Sequence, residues 1–139
     1  VKLARRYSFC ASHRLHAAQL SDSENAATYG KCNHPHGHGH NYVVEVCVSG
    51  PVDPETGRVA DLEKLDRLVR EQVIARYDHR NLNTDCEEYA HQVPTTEVVA
   101  VEIGKRLRRE WARYLGEESA HLERIRIWET ERNIFEVSV

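Results

Sequence analysis

The stretch Gly37-His38-Gly39-His40-Asn41-Tyr42-Val43-Val44-Glu45-Val46-Cys47-Val48-Ser49 decides the fold, because it reads as a strand and carries chemistry at one end. Its β-branched run favours a pleated, half-buried surface, and Gly50-Pro51 ends it. Residues two apart on a strand share a face, so His38 and His40 stand side by side where the strand begins. Two imidazoles on one face are half of a metal site.

Upstream, Val1 to Cys10 mixes apolar and basic residues around Tyr7 and Phe9 and predicts a strand whose end delivers Ala11-Ser12-His13. Ser21 to Lys31 is polar and irregular and predicts a long loop. Downstream, Asp53-Pro54-Glu55-Thr56-Gly57 has turn chemistry, which predicts a hairpin with a short return arm near Arg58 to Ala60. Leu62, Leu65, Leu68, Val69 and Val73 recur at helical spacing after Asp61, a suitable N-cap, and predict an amphipathic helix over 62–77. A second helix starts after Pro94, with Val99, Ile103, Leu107 and Trp111 along one stripe. Gly104 beside that stripe costs about 1 kcal/mol relative to alanine.

After Gly116 the runs Leu122 to Trp128 and Ile134 to Val139 form a C-terminal hairpin around Glu131-Arg132-Asn133. The order strand, strand, helix, helix, strand, strand predicts an α+β fold in which two helices lie on one face of a four-stranded antiparallel sheet. Residues 1–139 are expected to form a single domain. Two open edges on such a sheet are a liability for a monomer, so edge pairing between subunits is expected.

The 139 residues carry a net charge of -3, with Lys and Arg interspersed among Asp and Glu, and so present no nucleic-acid footprint. No apolar run approaches the roughly 18 residues that a membrane span needs, and Val1 to Phe9 has no signal-peptide pattern. A cytoplasmic location follows as the expectation. Cys10, Cys32, Cys47 and Cys86 form no Cys-x-x-Cys pair and are expected to be free thiols.

The alternating His34, His36, His38 and His40 make metal chemistry the first question. Zinc suits several neutral imidazoles, and catalytic zinc commonly takes three protein ligands and leaves a position open. The third ligand comes from His13, His16, His79, His91 or His121, and His13 is favoured because its strand can pair beside that of His38. A solvated loop, an incidental chelator or an expression tag are the bland alternatives, and the run's internal position argues against the last. A closed structural site, with Cys32 as fourth ligand, is another.

Cys32 stands beside Lys31, and a thiolate near a metal without binding it can act as general base or nucleophile. Asp78-His79 pairs a carboxylate with an imidazole that it can orient. Glu97 falls in the first turn of the second helix, where the dipole favours a carboxylate in any case. Glu129 lies among apolar strand residues, where a charge needs a partner.

These residues form an ordered set that closely resembles the 6-pyruvoyltetrahydropterin synthase family. It comprises Phe9-Cys10-Ala11-Ser12-His13-Arg14-Leu15, Gly30-Lys31-Cys32-Asn33 with Gly37-His38-Gly39-His40-Asn41-Tyr42, Asp78-His79-Arg80-Asn81-Leu82-Asn83, Pro94-Thr95-Thr96-Glu97 and Glu129-Thr130. The resemblance implies the tunnelling fold, with subunits joined edge to edge into a trimeric barrel, two trimers to a hexamer, and active sites between subunits. It implies His13, His38 and His40 as Zn2+ ligands and Cys32, Asp78 and His79 as the catalytic set. Glu97 and Glu129 become the pterin anchors, with Thr95 and Thr96 beside them on the substrate side.

The implied reaction converts 7,8-dihydroneopterin triphosphate to 6-pyruvoyl-tetrahydropterin, losing triphosphate with no external redox cofactor. A related activity on the same fold, 6-carboxytetrahydropterin synthesis in the queuosine pathway, is the alternative. The five residues between Cys32 and His38 favour the pyruvoyl type. A pterin-binding or structural zinc module is the non-enzymatic alternative. His34 and His36 stand where asparagine-like residues are expected, and Tyr77 where leucine is usual.

Overall fold

The computed structural model describes residues 1–117 and 120–139. The His38 stretch is strand β2 (His38–Ser49), and β1 (Lys2–His13) runs antiparallel beside it over its full length. Opposed residues share a face, so the register places Phe9, Ala11 and His13 opposite Tyr42, His40 and His38. On the other side β2 pairs antiparallel with β4 (His121–Trp128), and β4 pairs with β5 (Ile134–Ser138).

The sheet differs from the expectation. A fifth strand, the two-residue β3 (Arg80–Asn81), joins the outer edge of β1 in parallel, giving a mixed sheet in the order β3-β1-β2-β4-β5. Too short for any hydrophobic period, it is held by backbone bonds to β1 that only the folded chain supplies.

The 62–77 region is helical throughout, as α2 (Leu62–Val69), a π turn (Arg70–Ile74) and α3 (Ala75–Tyr77). Asp61 caps it, accepting from the Glu63 and Lys64 amides. The short α4 (Leu82–Asp85) follows, then α5 (Thr96–Leu115). Val99, Ile103 and Leu107 of α5 are fully buried, each contributing roughly 1.5–3 kcal/mol relative to exposure. Trp111 is half-buried and donates its indole N–H to the Ala120 carbonyl. A Cβ at Gly104 would lie 3.3 Å from Val139 and 3.9 Å from Ile125, so this interior glycine lets α5 sit close on the sheet.

Two further expectations fail. Ser21 to Lys31 is not a loop: it holds α1 (Asp22–Tyr29), capped by the Ser21 hydroxyl, and a 3-10 turn over Gly30–Asn33. Residues 58–60 form no return strand, because the Asp53–Arg58 segment closes on itself, Asp53 N–H to Arg58 carbonyl, and leaves the sheet. The element order is therefore richer than ββααββ.

Candidate metal centre and active site

The β1–β2 register sets His13 directly opposite His38, with His40 one pleat along the same face. Their ligating nitrogens lie within 4.8 Å of one another, and Nε2 of His13 is 3.0 Å from Nε2 of His38. Among the described residues this is the group that can hold a metal ion. Cys32 is not in it, so the closed Cys-His-His-His site is not formed.

Two of the rings are prepared for a ligand. His13 Nδ1 lies 2.8 Å from the Pro94 carbonyl, which can only accept, so the proton sits on Nδ1 and the Nε2 lone pair faces the site. Burial holds His13 below the usual histidine range, although the Pro94 bond works in the opposite sense, and burial likewise lowers His40 despite Glu129. Both are neutral at neutral pH. Nε2 of His40 is buried with no hydrogen-bond partner among the described residues. A buried polar atom left unpaired is a loss that a bound cation removes, and an all-imidazole donor set suits zinc.

Gly37 makes the approach of the two strands possible. Its φ is +68°, and a Cβ there would lie 2.7 Å from the His13 carbonyl oxygen. That requirement explains the glycine before His38.

Glu129 borders the three rings, its Oε1 3.7 Å from His40 Nε2 and 3.8 Å from His13 Nε2. Burial would raise this carboxyl, but the hydrogen bonds from Thr96 and Asn133 and the nearby imidazoles outweigh it, and Glu129 stays ionised. The buried Thr96 hydroxyl donates to Oε1 at 2.6 Å, and the Thr95 hydroxyl caps α5 by accepting from the Val98 amide. Glu97 is exposed on the first turn of α5.

Cys32 sits half-buried in the 3-10 turn, its carbonyl accepting from Leu15 N–H at 2.9 Å. Tyr42 borders the rings. The Tyr42 hydroxyl lies 3.4 Å from His13 Nδ1, and burial first, then Glu129, with Cys32 contributing in the same sense, pushes its ionisation well above the usual tyrosine range. All four cysteines are free.

Asp78 and His79 lie elsewhere, on the outer edge of β1. Asp78 Oδ1 accepts from Cys10 N–H at 2.8 Å, His79 N–H donates to the Cys10 carbonyl at 2.6 Å, and His79 Nε2 is 3.6 Å from Asp78 Oδ2. Among the described residues no hydrogen bond or ion pair joins this dipeptide to Cys32 or to the three imidazoles. Among the described residues His79 is also the non-glycine residue with positive φ, at 57°, a conformation imidazole side chains tolerate better than most. Its ring is 82% exposed, so it is presented outward.

The chain matches the 6-pyruvoyl tetrahydropterin synthase family over residues 2–138. It belongs to that family. It is 46% identical over 132 residues to the 6-pyruvoyl tetrahydrobiopterin synthase of Poecilia reticulata, covering 95% of this chain and 86% of that protein. Identity to the Drosophila melanogaster protein of the same name is 43% over 132 residues, covering 95% of this chain and 76% of that one. The solved structure of Caenorhabditis elegans 6-pyruvoyl tetrahydropterin synthase superposes with a TM-score of 0.90 at 42% identity, covering 100% of this chain and 95% of that chain.

The sequence points directly to His38 and His40, while Pro94, Thr96 in its role as tether, Gly37 and Tyr42 emerge only with the fold. A backbone carbonyl leaves no trace in residue type. Gly37 had a signal in its His-Gly-His setting that needed the neighbouring strand to be read.

Proposed function

We propose that this chain is a single 6-pyruvoyltetrahydropterin synthase-like domain that converts 7,8-dihydroneopterin triphosphate to 6-pyruvoyl-tetrahydropterin with loss of triphosphate. The observation that carries this reading is the convergence of three imidazoles, with His13 and His40 held neutral by burial, beside the ionised Glu129 in a chain of this family. His13, His38 and His40 are the residues that would hold the zinc ion. When bound, zinc supplies Lewis acidity toward the side-chain oxygens of the substrate and makes the adjacent carbon a stronger acid.

The chain's own residues do the rest. Cys32 takes the carbon-bound proton as a thiolate, and His79, oriented by Asp78, returns protons during tautomerisation. Glu129, kept ionised by Thr96 and the rings, accepts from the amino and ring N–H groups of the pterin, together with Glu97. Thr95 and Thr96 set the two carboxylates by capping and by tethering. The exposure of His79, and the lack of any hydrogen bond or ion pair from it to Cys32 among the described residues, support a complete site formed between subunits of a trimer or hexamer. Among the described residues no helix is long and apolar enough to cross a membrane, and a cytoplasmic setting fits a small, phosphorylated substrate.

The test is incubation of the metal-loaded protein with 7,8-dihydroneopterin triphosphate and mass analysis of the pterin. The pyruvoyl product is expected. A carboxy product would reassign the chain to the 6-carboxytetrahydropterin activity, and no product would leave a binding module. Cys32→Ala is expected to abolish turnover and keep the metal; loss of metal would make Cys32 a ligand instead of a base.

A further inference from the structure

Residues 14–16 and 31–34 run side by side at the rim of the imidazole cluster. Leu15 N–H bonds to the Cys32 carbonyl at 2.9 Å, and the Asn33 amide donates to the Leu15 carbonyl at 2.8 Å. Both segments lead directly into metal-site strands, Arg14 following His13 and the Lys31–His36 segment running through Gly37 to His38. The two segments therefore form one lip beside Cys32.

That lip carries two cations, Arg14 and Lys31, on segments that a hydrogen bond joins beside Cys32. Several other cations are neutralised, Arg5 by Asp66, Arg6 by Glu45, Arg76 by Glu88 and Arg126 by Glu136. Among the described residues no carboxylate pairs with Arg14 or Lys31. Arg14 is also held in place, since its Nε donates to the Asn33 carbonyl at 3.0 Å, while among the described residues its two terminal nitrogens make no hydrogen bond and can form a fork. A guanidinium anchored through Nε is suited to bidentate contact with phosphate oxygens. His16 adds a directed donor: Asn33 Nδ2 donates to its Nδ1 at 2.9 Å, which leaves the ring proton on Nε2.

We propose that Arg14 and Lys31, with His16 as a neutral donor, form the subsite that holds the triphosphate of the substrate. This rests on the proposed function for the identity of the tail, and it assigns the specificity for a phosphorylated substrate to a lip outside the metal ligands. A chain with a net charge of -3 has no general attraction for a polyanion, so the recognition must be local.

The experiment measures binding of inorganic triphosphate to the metal-loaded protein by calorimetry, for the wild type, Arg14→Gln, Lys31→Gln and the remote Arg58→Gln. Triphosphate also ligates metal ions, so samples are matched in zinc content and the readout is the difference between variants. Arg14→Gln is expected to weaken binding about tenfold, and Lys31→Gln, an exposed position that leaves folding intact, several-fold. Arg58→Gln is expected to bind as the wild type does. KM for the pterin triphosphate should rise in parallel, and Arg14→Lys should recover only part of the loss, because it restores charge without the fork.

Equal triphosphate affinity in wild type, Arg14→Gln and Lys31→Gln overturns the subsite, as does no binding by the wild type. Turnover with unchanged triphosphate affinity in the variants would leave the proposed function standing and remove the subsite. Weakened affinity without turnover would do the reverse.

Discussion

At the residue scale the site is a problem of aiming lone pairs. His13 is 1% exposed, and its proton is fixed on Nδ1 by the Pro94 carbonyl, so the nitrogen that faces the other two rings is set by a residue 81 positions away. His38 and His40 could be read from the sequence because a strand's period of two is local. His13 needed the register of a second strand, and Pro94 needed the whole fold. Gly37 carries the same lesson into a prediction. With φ at +68° and only 2.7 Å between a built Cβ and the His13 carbonyl, Gly37→Ala must move the backbone that aligns His13 with His38. The variant should lose about 1–3 kcal/mol of stability and also bind zinc less tightly, read by denaturant unfolding and by competition with a chelating dye. Unchanged zinc affinity in a folded variant would show that the close approach does not set the site.

At the element scale the readable parts are those with long hydrophobic periods: β2, the 62–77 helix and α5 all stand where their patterns put them. Helix α1 was hidden because its eight residues are polar and it is tied down by the buried Asn25 side chain, which binds the Ala17 N–H and carbonyl. Ser21 at its N-cap and Asp22 and Glu24 in its first turn were the signals available. Tyr77, the departure from the leucine expected there, is explained by the loop below it. Its hydroxyl donates to Glu88 at 2.7 Å, and Arg76 grips the same carboxylate, so the end of α3 and the turn after Cys86 are locked under Asp78.

Burial would raise Glu88, but the Arg76 and Tyr77 bonds outweigh it and hold the carboxyl at about 2, against an ordinary value near 4.5. A carboxyl lowered on folding stabilises above its unfolded value and loses that contribution as pH falls through the folded one. The acid limb of the stability curve should therefore fall between about pH 5 and pH 2. Glu88→Gln should lose about 2 kcal/mol at neutral pH and flatten that limb, measured as urea midpoint against pH. A limb of the same depth in the variant would place the acid sensitivity elsewhere.

At the scale of the whole molecule the sheet has one covered face and two open edges. Its helix-free face carries paired charges, Arg6 and Arg126 with Glu45 and Arg126 with Glu136, so it is satisfied in water without an apolar cover. The edges are different: β3 pairs with β1 only at Ala11 and Ser12, and β5 ends the other side with Ile134 half exposed. Open edges invite pairing with another copy, and closed symmetric rings are the usual result. The proposed function adds a second argument, because Cys32 and the imidazoles lie within the fold while Asp78 and His79 hang on the outer edge of β1. If a neighbouring subunit supplies the dipeptide, Cys32→Ala and His79→Ala damage different halves of each shared site. Homomers of either variant should be inactive. Co-refolded in equal amounts, the two should recover about a quarter of wild-type activity, since random pairing reunites an intact Cys32 with an intact His79 at that frequency. Sedimentation of the wild type should give a mass at a multiple of three times the 16.0 kDa chain. A monomer, or no recovery in co-refolded mixtures of confirmed oligomers, would mean that each chain closes its own site, and His79 would then have to swing from its anchored position to reach Cys32.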